Sequence, residues 1–386
     1  LGYFPLDRTV PVRNDLKMAA DLIAKAKNPL IIVGGGVHLS GAQAALSQLQ
    51  EKTHLPIATT VMGKGSVDEQ HPLSVGVIGY FMGPNGNAHF QKDLVSNADV
   101  IVLIGTRTNQ NGTDSWKLYP PTAKYIHIDS NGNEVGRNYE ATRLVGDARE
   151  TILALTEELL SSDLTTRKDS RKLLEKKIQE GRNAYLDQSK AIRQSNSIPV
   201  RPERVMEELN QVLTPNSIVI SDASYASVWS ANYLTSLFAG MRFLAPRGLA
   251  GIGWGFPMAL GAKVARPTAD VYCVVGDGGF AHVWSEQETA VRMNLKVTLI
   301  VLNNGILGFQ KHAENIKYGL HTTAVHFAPV DHAAIARACG CQGITVTKPE
   351  ELGPALELAR TAKTTTVIDV ICDENAFPPL SLYHPM

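Results

Sequence analysis

Two stretches decide the fold: Val271-Tyr272-Cys273-Val274-Val275-Gly276-Asp277-Gly278-Gly279 and, one helix-length further on, Val297-Thr298-Leu299-Ile300-Val301-Leu302-Asn303-Asn304. Each is an apolar run of strand length that stops at a residue with an oxygen-bearing side chain. Ser285 to Met293, between them, reads as a helix. Strand, helix, strand, with both strands apolar throughout, predicts parallel neighbours covered on both faces. In such a sheet the carboxyl ends of the strands face the crevice where ligands bind, so Asp277 and the Asn303-Asn304 pair are expected to meet there. Gly276, Gly278 and Gly279 allow the backbone to approach a phosphate and turn N–H groups toward it. A carboxylate beside an amide oxygen makes a hard-oxygen pocket suited to Mg2+ or Ca2+ bridging a diphosphate. A Gly-Asp-Gly triplet alone is common and an Asn-Asn pair usually marks a turn. Their joint placement at two strand ends carries the reading.

Outward from this point the same grammar recurs. Ser217 to Ser221 reads as a strand ending at Asp222, Arg242 to Ala245 as a strand, Gly255 to Arg266 as a helix and Thr365 to Ile371 as the last strand. Helices are expected over Asp331 to Ala338 and Pro349 to Ala362, with an irregular stretch after Asn304. Nearer the start, Pro29 to Val33 runs into Gly34-Gly35-Gly36, followed by a helix over Gly41 to Lys52 and strands at Pro56 to Thr60, Val100 to Ile104 and Lys124 to Asp129. The predicted class is α/β: two parallel-sheet, three-layer domains, the first Rossmann-like. Residues 1–160 form the first, 161–197 a charged linker with a solvated helix, and 198–386 the second.

The chain has 386 residues, too many for one ordinary core. Its 37 basic residues balance 37 acidic ones, which gives no electrostatic footprint for nucleic acid or an anionic membrane. The longest apolar runs are strand-length, far short of a membrane span. Four cysteines, Cys273, Cys339, Cys341 and Cys372, lack the spacing of a zinc site and are expected in the core of a cytoplasmic protein. Nothing near Leu1 reads as a signal segment, and a start at Leu suggests a fragment, a processed product or a trimmed chain.

A Gly-Asp-Gly followed, after a helix and a strand, by Asn-Asn resembles the fingerprint of thiamine diphosphate (ThDP) enzymes. Gly248 to Lys263, Ala290 to Leu295 and Leu302 to Gly308 are similar to the acetolactate synthase group, as are Ala58 to Gly65 and Ile126 to Asp129. The resemblance implies a central domain and a diphosphate-binding domain. It implies Mg2+ held by Asp277, Asn304 and the carbonyl of Ile306. It places Ile252 as the apolar wedge that bends the cofactor, and the Gly251 carbonyl at the aminopyrimidine. Gly278 and Gly279 N–H groups would face the diphosphate, with Gly276, Leu307 and Gly308 in the same cofactor set. A helix beginning near Ser285 would add its N-terminal dipole. Family sites lie between subunits, so a homo-oligomer, as a dimer, is expected.

The departures are as informative. The glutamate that activates the aminopyrimidine belongs to an N-terminal pyrimidine-binding domain that this sequence does not show, so the chain is expected to be inactive alone, completed by a missing segment or a separate polypeptide. Glu286 and Glu288 lie in the helix after the fingerprint and are expected to be structural. Ser224-Tyr225-Ala226 stands where the group has Gly-Gln-His, so a side-chain contact to the diphosphate is expected to be either lost or replaced by the hydroxyls of Ser224 and Tyr225. Ala313 replaces a tryptophan that favours the larger keto acid acceptor, and Gln310 falls where related decarboxylases have a catalytic glutamate. Lys311 or His312 could bind an acidic substrate group. The first domain could hold FAD, ADP, coenzyme A or nothing; Arg107 matches an arginine of the flavin-binding members, but Thr108 to Asn111 do not repeat their acidic residues. The implied function is a ThDP- and Mg2+-dependent lyase or carboligase acting on a 2-oxo acid or related carbonyl compound. The alternatives are a non-catalytic ThDP-binding subunit and, from the first domain alone, a nucleotide-binding dehydrogenase.

Overall fold

The computed structural model describes residues 7–381. They form two compact units, the first of residues up to 186 together with 236–240, the second of residues 187–235 and from 241 on.

In the first unit, strands β1 (Pro29–Val33), β2 (Ile57–Thr59), β3 (Ser74–Val77), β4 (Val100–Ile104), β5 (Lys124–Asp129) and β6 (Ala141–Val145) make one sheet in the order β3-β2-β1-β4-β5-β6. All pairings are parallel. Alternation along the strands sends Ile31, Val33, Val102, Ile104, Ile126 and Ile128 to one face, against helices Arg13–Lys25, Gln43–Thr53 and Ala148–Leu160. Leu30, Ile32, Ile101 and Leu103 go to the other face and pack with Met82, Val95, Tyr119 and Ile178. Two apolar faces on one sheet give three layers.

Ile178 belongs to a helix spanning Thr165–Arg193. The sequence predicts a solvated linker there; the helix forms, but up to Leu186 it groups with the first unit. Leu174, Ile178 and Tyr185 lie at helical spacing and pack inward despite the surrounding charge. Gln91 Nε2 donates to the Ile178 carbonyl (2.8 Å), and buried Arg167 donates to that of Ala26 (2.6 Å).

The triple glycine after β1 has a packing explanation. A Cβ at Gly34 would lie 2.4 Å from the Gly105 carbonyl oxygen, and one at Gly36 would lie 2.7 Å from Gly105 Cα. The loops after β1 and β4 therefore touch backbone to backbone.

In the second unit, β7 (Ser217–Ser221), β8 (Arg242–Leu244), β9 (Asp270–Gly276), β10 (Thr298–Asn303), β11 (Gln342–Val346) and β12 (Thr366–Ile371) are ordered β11-β12-β10-β9-β7-β8, again all parallel. From β7 the chain passes to β8 on one side and then to β9 on the other, so the strand order reverses between β7 and β9. Cys273, Val275, Leu299, Val301, Ile220 and Val367 share a core with Phe256, Ala259 and Phe280. The two α/β three-layer units agree with the predicted class. The ends of β9 and β10 each fall within one residue of expectation.

Strands β3, β6 and β11 and helices Arg13–Lys25, Asp277–Ala281 and Gly308–Tyr318 were not anticipated, the last lying in the stretch expected to be irregular. The four cysteines are free thiols, three of them buried. Among the described residues no helix is long and apolar enough to cross a membrane.

One buried ion pair stands out in the first unit. Lys64 Nζ donates to both Glu69 oxygens (2.7 and 2.8 Å), with side chains 2% and 5% exposed. Glu69 Oε2 also accepts the Ser236 N–H (2.8 Å), and Gly240 N–H donates to the Gly65 carbonyl (2.8 Å), which ties 236–240 to this unit. Lys64→Met, leaving Glu69 buried without its cation, should lower the unfolding free energy of this unit by about 3–5 kcal/mol. Lys64→Met with Glu69→Gln, which removes the charge and keeps an acceptor for Ser236, should recover most of the loss. Denaturant titrations that found the double variant as unstable as the single one would contradict the pairing energetics.

Candidate functional site

The carboxyl ends of β7, β9 and β10 converge on a short region of the second unit. The register sets Leu302 beside Gly276, so the residues after the two strands face one another. Asp277 begins the five-residue helix Asp277–Ala281, which Phe280 anchors: its side chain is fully buried, edge-on to Phe256 with ring centroids 5.9 Å apart. Asp277 Oδ1 accepts the Gly278 N–H (2.8 Å) and Oδ2 the Gly305 N–H (2.7 Å). The second bond joins the carboxylate at the end of β9 to the peptide unit that follows Asn304. Burial pushes the Asp277 carboxyl up to about 6, against the pull of the two N–H donors.

The two asparagines have different tasks. Asn303 Nδ2 donates to Asp369 Oδ1 on β12 (3.0 Å) and to the Val330 carbonyl (3.1 Å). Asp369 Oδ2 in turn accepts the His332 N–H (2.8 Å). Asn303 thus fastens β10 to β12. Asn304 Oδ1 receives one long bond, from the Ile306 N–H (3.3 Å). The loop bearing Ile306 is strapped by 325–327: Leu307 N–H donates to the Val325 carbonyl and Phe327 N–H to that of Gly305 (both 2.8 Å). A cavity of about 810 Å³ opens beside it, lined by Asn304, Gly305, Phe327, Asp369 and Thr345.

The glycine-rich passage 248–255 is half anchored. Gly253 and Gly255 are buried, whereas Gly251 and Ile252 are exposed, Ile252 at 38%. A Cβ added at Gly251, Gly276 or Gly305 would meet nothing within 4 Å, so the backbone there is open to a ligand. Gly278 and Gly279 differ. A Cβ at Gly278 would come within 2.8 Å of the Phe327 ring and 3.2 Å of Leu307, and its N–H already serves Asp277. The helix whose first turn lies at the fingerprint is Asp277–Ala281; the one expected near Ser285 starts at Glu286, and its Glu288 bonds Arg292 on the surface (2.9 Å).

After β7, Ser224 has φ 65° and ψ −145°, a conformation that favours glycine and costs a side-chain-bearing residue about 1–3 kcal/mol. Tyr225 follows. Its hydroxyl is 2.6 Å from His312 Nδ1, its ring stacks on His312 and meets Phe309 and Phe377 edge-on, and a Cβ at Gly308 would be 3.2 Å from it. Gln310 is apart from this cluster: it is exposed and donates to Glu314 (2.7 Å). In the first unit Arg107 is exposed.

Comparison with known proteins gives the family. Residues 16–155 match the family described as thiamine pyrophosphate enzyme, central domain, and residues 222–370 match its C-terminal TPP binding domain. The chain belongs to the thiamine pyrophosphate enzymes. Within them it is of the acetolactate synthase-like group. It is 33% identical to a probable acetolactate synthase large subunit of Methanococcus aeolicus, over 97% of this chain and 63% of that protein. It is 32% identical to that of Methanocaldococcus jannaschii, over 96% of this chain and 62% of the relative. It is 28% identical to the putative thiamine pyrophosphate-containing protein YdaP of Bacillus subtilis, over 96% and 61%. The chain therefore spans a little under two thirds of the length of these relatives.

For this thiamine pyrophosphate enzyme, sequence reasoning missed two carboxylates, Asp222 and Asp369, whose partners lie far along the chain. Asp222, at the end of β7, accepts from Gly253 and Gly255; Asp369 accepts from Asn303 and His332. The available signal was an acidic residue closing or interrupting a strand otherwise apolar.

His312 gives a pH-dependent prediction. Burial, then the Lys311 charge and His321, push its imidazole down to about 4. With the folded value below the unfolded one, the unfolded chain takes up the proton first on acidification. Native stability is therefore unaffected above the ordinary value of 6.5 and falls as pH drops from there toward 4. His312→Gln should flatten this part of the stability profile, and the His312 ring should stay neutral in an NMR titration at about pH 5.5. A midpoint near the ordinary value would contradict the half-buried, Tyr225-bonded ring.

Proposed function

We propose that the chain supplies the diphosphate- and metal-binding half of a ThDP-dependent lyase or carboligase, acetolactate synthase-like, that acts on a 2-oxo acid or related carbonyl compound. The observation that supports it most is the bond from the Gly305 N–H to Asp277, which brings the acidic end of β9 to the loop of Asn304 and Ile306 inside the matched TPP binding domain. The donors suit a hard cation: a carboxylate oxygen of Asp277, the amide oxygen of Asn304 and the carbonyl of Ile306 would hold Mg2+, with diphosphate oxygens and water completing the shell. Asn304, rather than Asn303, fits this task because the Asn303 NH2 group donates to Asp369 and the Val330 carbonyl, which turns that side chain toward β12.

The chain's own residues divide the remaining work. Gly251, Gly276 and Gly305 keep the backbone open, and Ile252 stands exposed on the loop where an apolar wedge is needed. Ser224 ends the loop after β7, and the Tyr225 ring, at the start of the helix Tyr225–Tyr233, packs beside the first turn of Gly308–Tyr318. Once bound, ThDP supplies an electron sink for cleaving or forming a bond next to a carbonyl. The carboxylate needed at the aminopyrimidine would come from a pyrimidine-binding domain, of this polypeptide or another.

A second reading, a ThDP-binding subunit without activity of its own, is favoured by Gln310: a neutral amide turned to Glu314 is a poor proton donor. The dehydrogenase reading has less support, because the glycines after β1 are accounted for by contact with Gly105.

Calorimetry should find ThDP binding that depends on Mg2+, and Asp277→Ala should weaken it by roughly a hundred-fold or more, as expected on losing a charged metal ligand. Unchanged affinity in that variant would remove the proposed site. Adding a pyrimidine-binding domain and assaying 2-oxo acids separates the two readings: turnover favours the enzyme, and silence with intact ThDP binding favours the subunit.

A further inference from the structure

Asp222 lies where the strand order reverses, between β7 and β9, and only 1% of it is exposed. Its two oxygens grip the glycine-rich loop from below. Oδ2 accepts the Gly253 N–H (2.8 Å) and Oδ1 the Gly255 N–H (3.0 Å), and its own N–H is fixed on the Val274 carbonyl (2.8 Å). The Gly253 N–H belongs to the same peptide unit as the Ile252 carbonyl, so this bond acts on the residue next to the exposed apolar side chain.

The fingerprint turn closes on the same carboxylate from the other side. A Cβ at Gly279 would lie 2.2 Å from Asp222 Oδ2, and one at Gly253, where φ is +88°, would lie 3.0 Å from His282 Cβ and 3.3 Å from the Gly279 carbonyl oxygen. Three strand-end loops thus meet at one buried group, and glycine is required where they touch. The hydrogen-bond partners of the carboxylate are peptide N–H groups, whose dipoles compensate a buried charge in the manner of an anion nest. Burying a carboxylate is costly, and apolar packing could fill the same volume without that cost. Directional anchoring of a loop with no regular structure is something apolar packing does not provide.

We propose that Asp222 is the positioning residue of the cofactor site: by clamping the Ile252–Gly253 peptide against the Asp277–Gly279 turn, it sets the apolar wedge relative to the metal-binding carboxylate. This rests on the ThDP reading above. Asp222 does not touch the ligand; it acts through Ile252. Its loss should therefore weaken recognition of the organic part of the cofactor and spare recognition of the diphosphate.

Asp222→Asn keeps the shape and turns an NH2 group toward one of the two N–H donors. Hydrogen exchange at Gly253 and Gly255 should accelerate roughly ten- to hundred-fold, the loss expected for a hydrogen bond to a charged acceptor, while amides of β9 and β10 keep their protection. With Mg2+ present, affinity for ThDP should fall by a similar factor, and affinity for inorganic pyrophosphate should change less than about two-fold. Should Asp222→Asn not fold, Gly279→Ala, which pushes the carboxylate aside with Asp222 intact, should give the same rise in exchange. Unchanged exchange, or equal losses for ThDP and pyrophosphate, overturns the positioning role. Wild-type chain that binds Mg2+-pyrophosphate but not ThDP overturns the cofactor reading and this proposal with it, whereas equal ThDP affinity in wild type and variant overturns this proposal alone.

Discussion

The architecture of the second unit converges on a carboxylate that is buried yet bonded to two peptide N–H groups. Asp277 holds the first turn after β9 through Gly278 and the loop after β10 through Gly305. Two adjacent parallel strands deliver their ends to the same level, which is what allows one short side chain to reach both. Burial disfavours the charged form of Asp277, and its raised value reflects that. A neighbouring cation would favour the charged form again.

Around that carboxylate the polar groups sort by what remains for them to do. Asp369 and Asn303 bond each other and the backbone of 330–332, joining β12 to β10. The strap at 325–327 supplies backbone pairing to a loop that has no strand of its own. Such directional bonds fix the relative positions of loops that have no regular structure of their own. The Tyr225–His312 pair adds a neutral, aromatic wall built on a residue, Ser224, in a glycine-like conformation.

The first unit repeats the layered plan with a different emphasis. Its sheet has the strand order of doubly wound nucleotide-binding folds, but fold order does not assign a ligand. There, glycine enables contact between loops, and a fully buried Lys64–Glu69 pair secures 236–240.

The sequence by itself determined the layered α/β class and the ends of the central strands. Residues such as Val271 to Val275 and Val297 to Leu302 are apolar on both faces only when a parallel sheet is covered twice, so local pattern and burial coincide. It also carried the fingerprint residues, since Asp277 and Asn304 are each adjacent in sequence to the strand that positions them. The edge strand β11, Gln342–Val346, was less legible: it pairs with β12 alone and has Val346 as its fully buried residue, so little apolar pattern marks it. The helix Gly308–Tyr318 has Phe309 and Ile316 as its large aliphatic or phenyl side chains and little apolar pattern to read, because Phe309 shares the contacts to the rest of the unit with the polar Lys311 and His312. Tertiary structure alone decided that Asn303 fastens β10 to β12 through Asp369, that 165–186 packs on the first sheet, and that Asp222 meets Gly253, Gly255 and Gly279. The reason is range: hydrophobic period reports a residue's own strand or helix, whereas a hydrogen bond across thirty or sixty residues exists only once the sheet has brought its partners together.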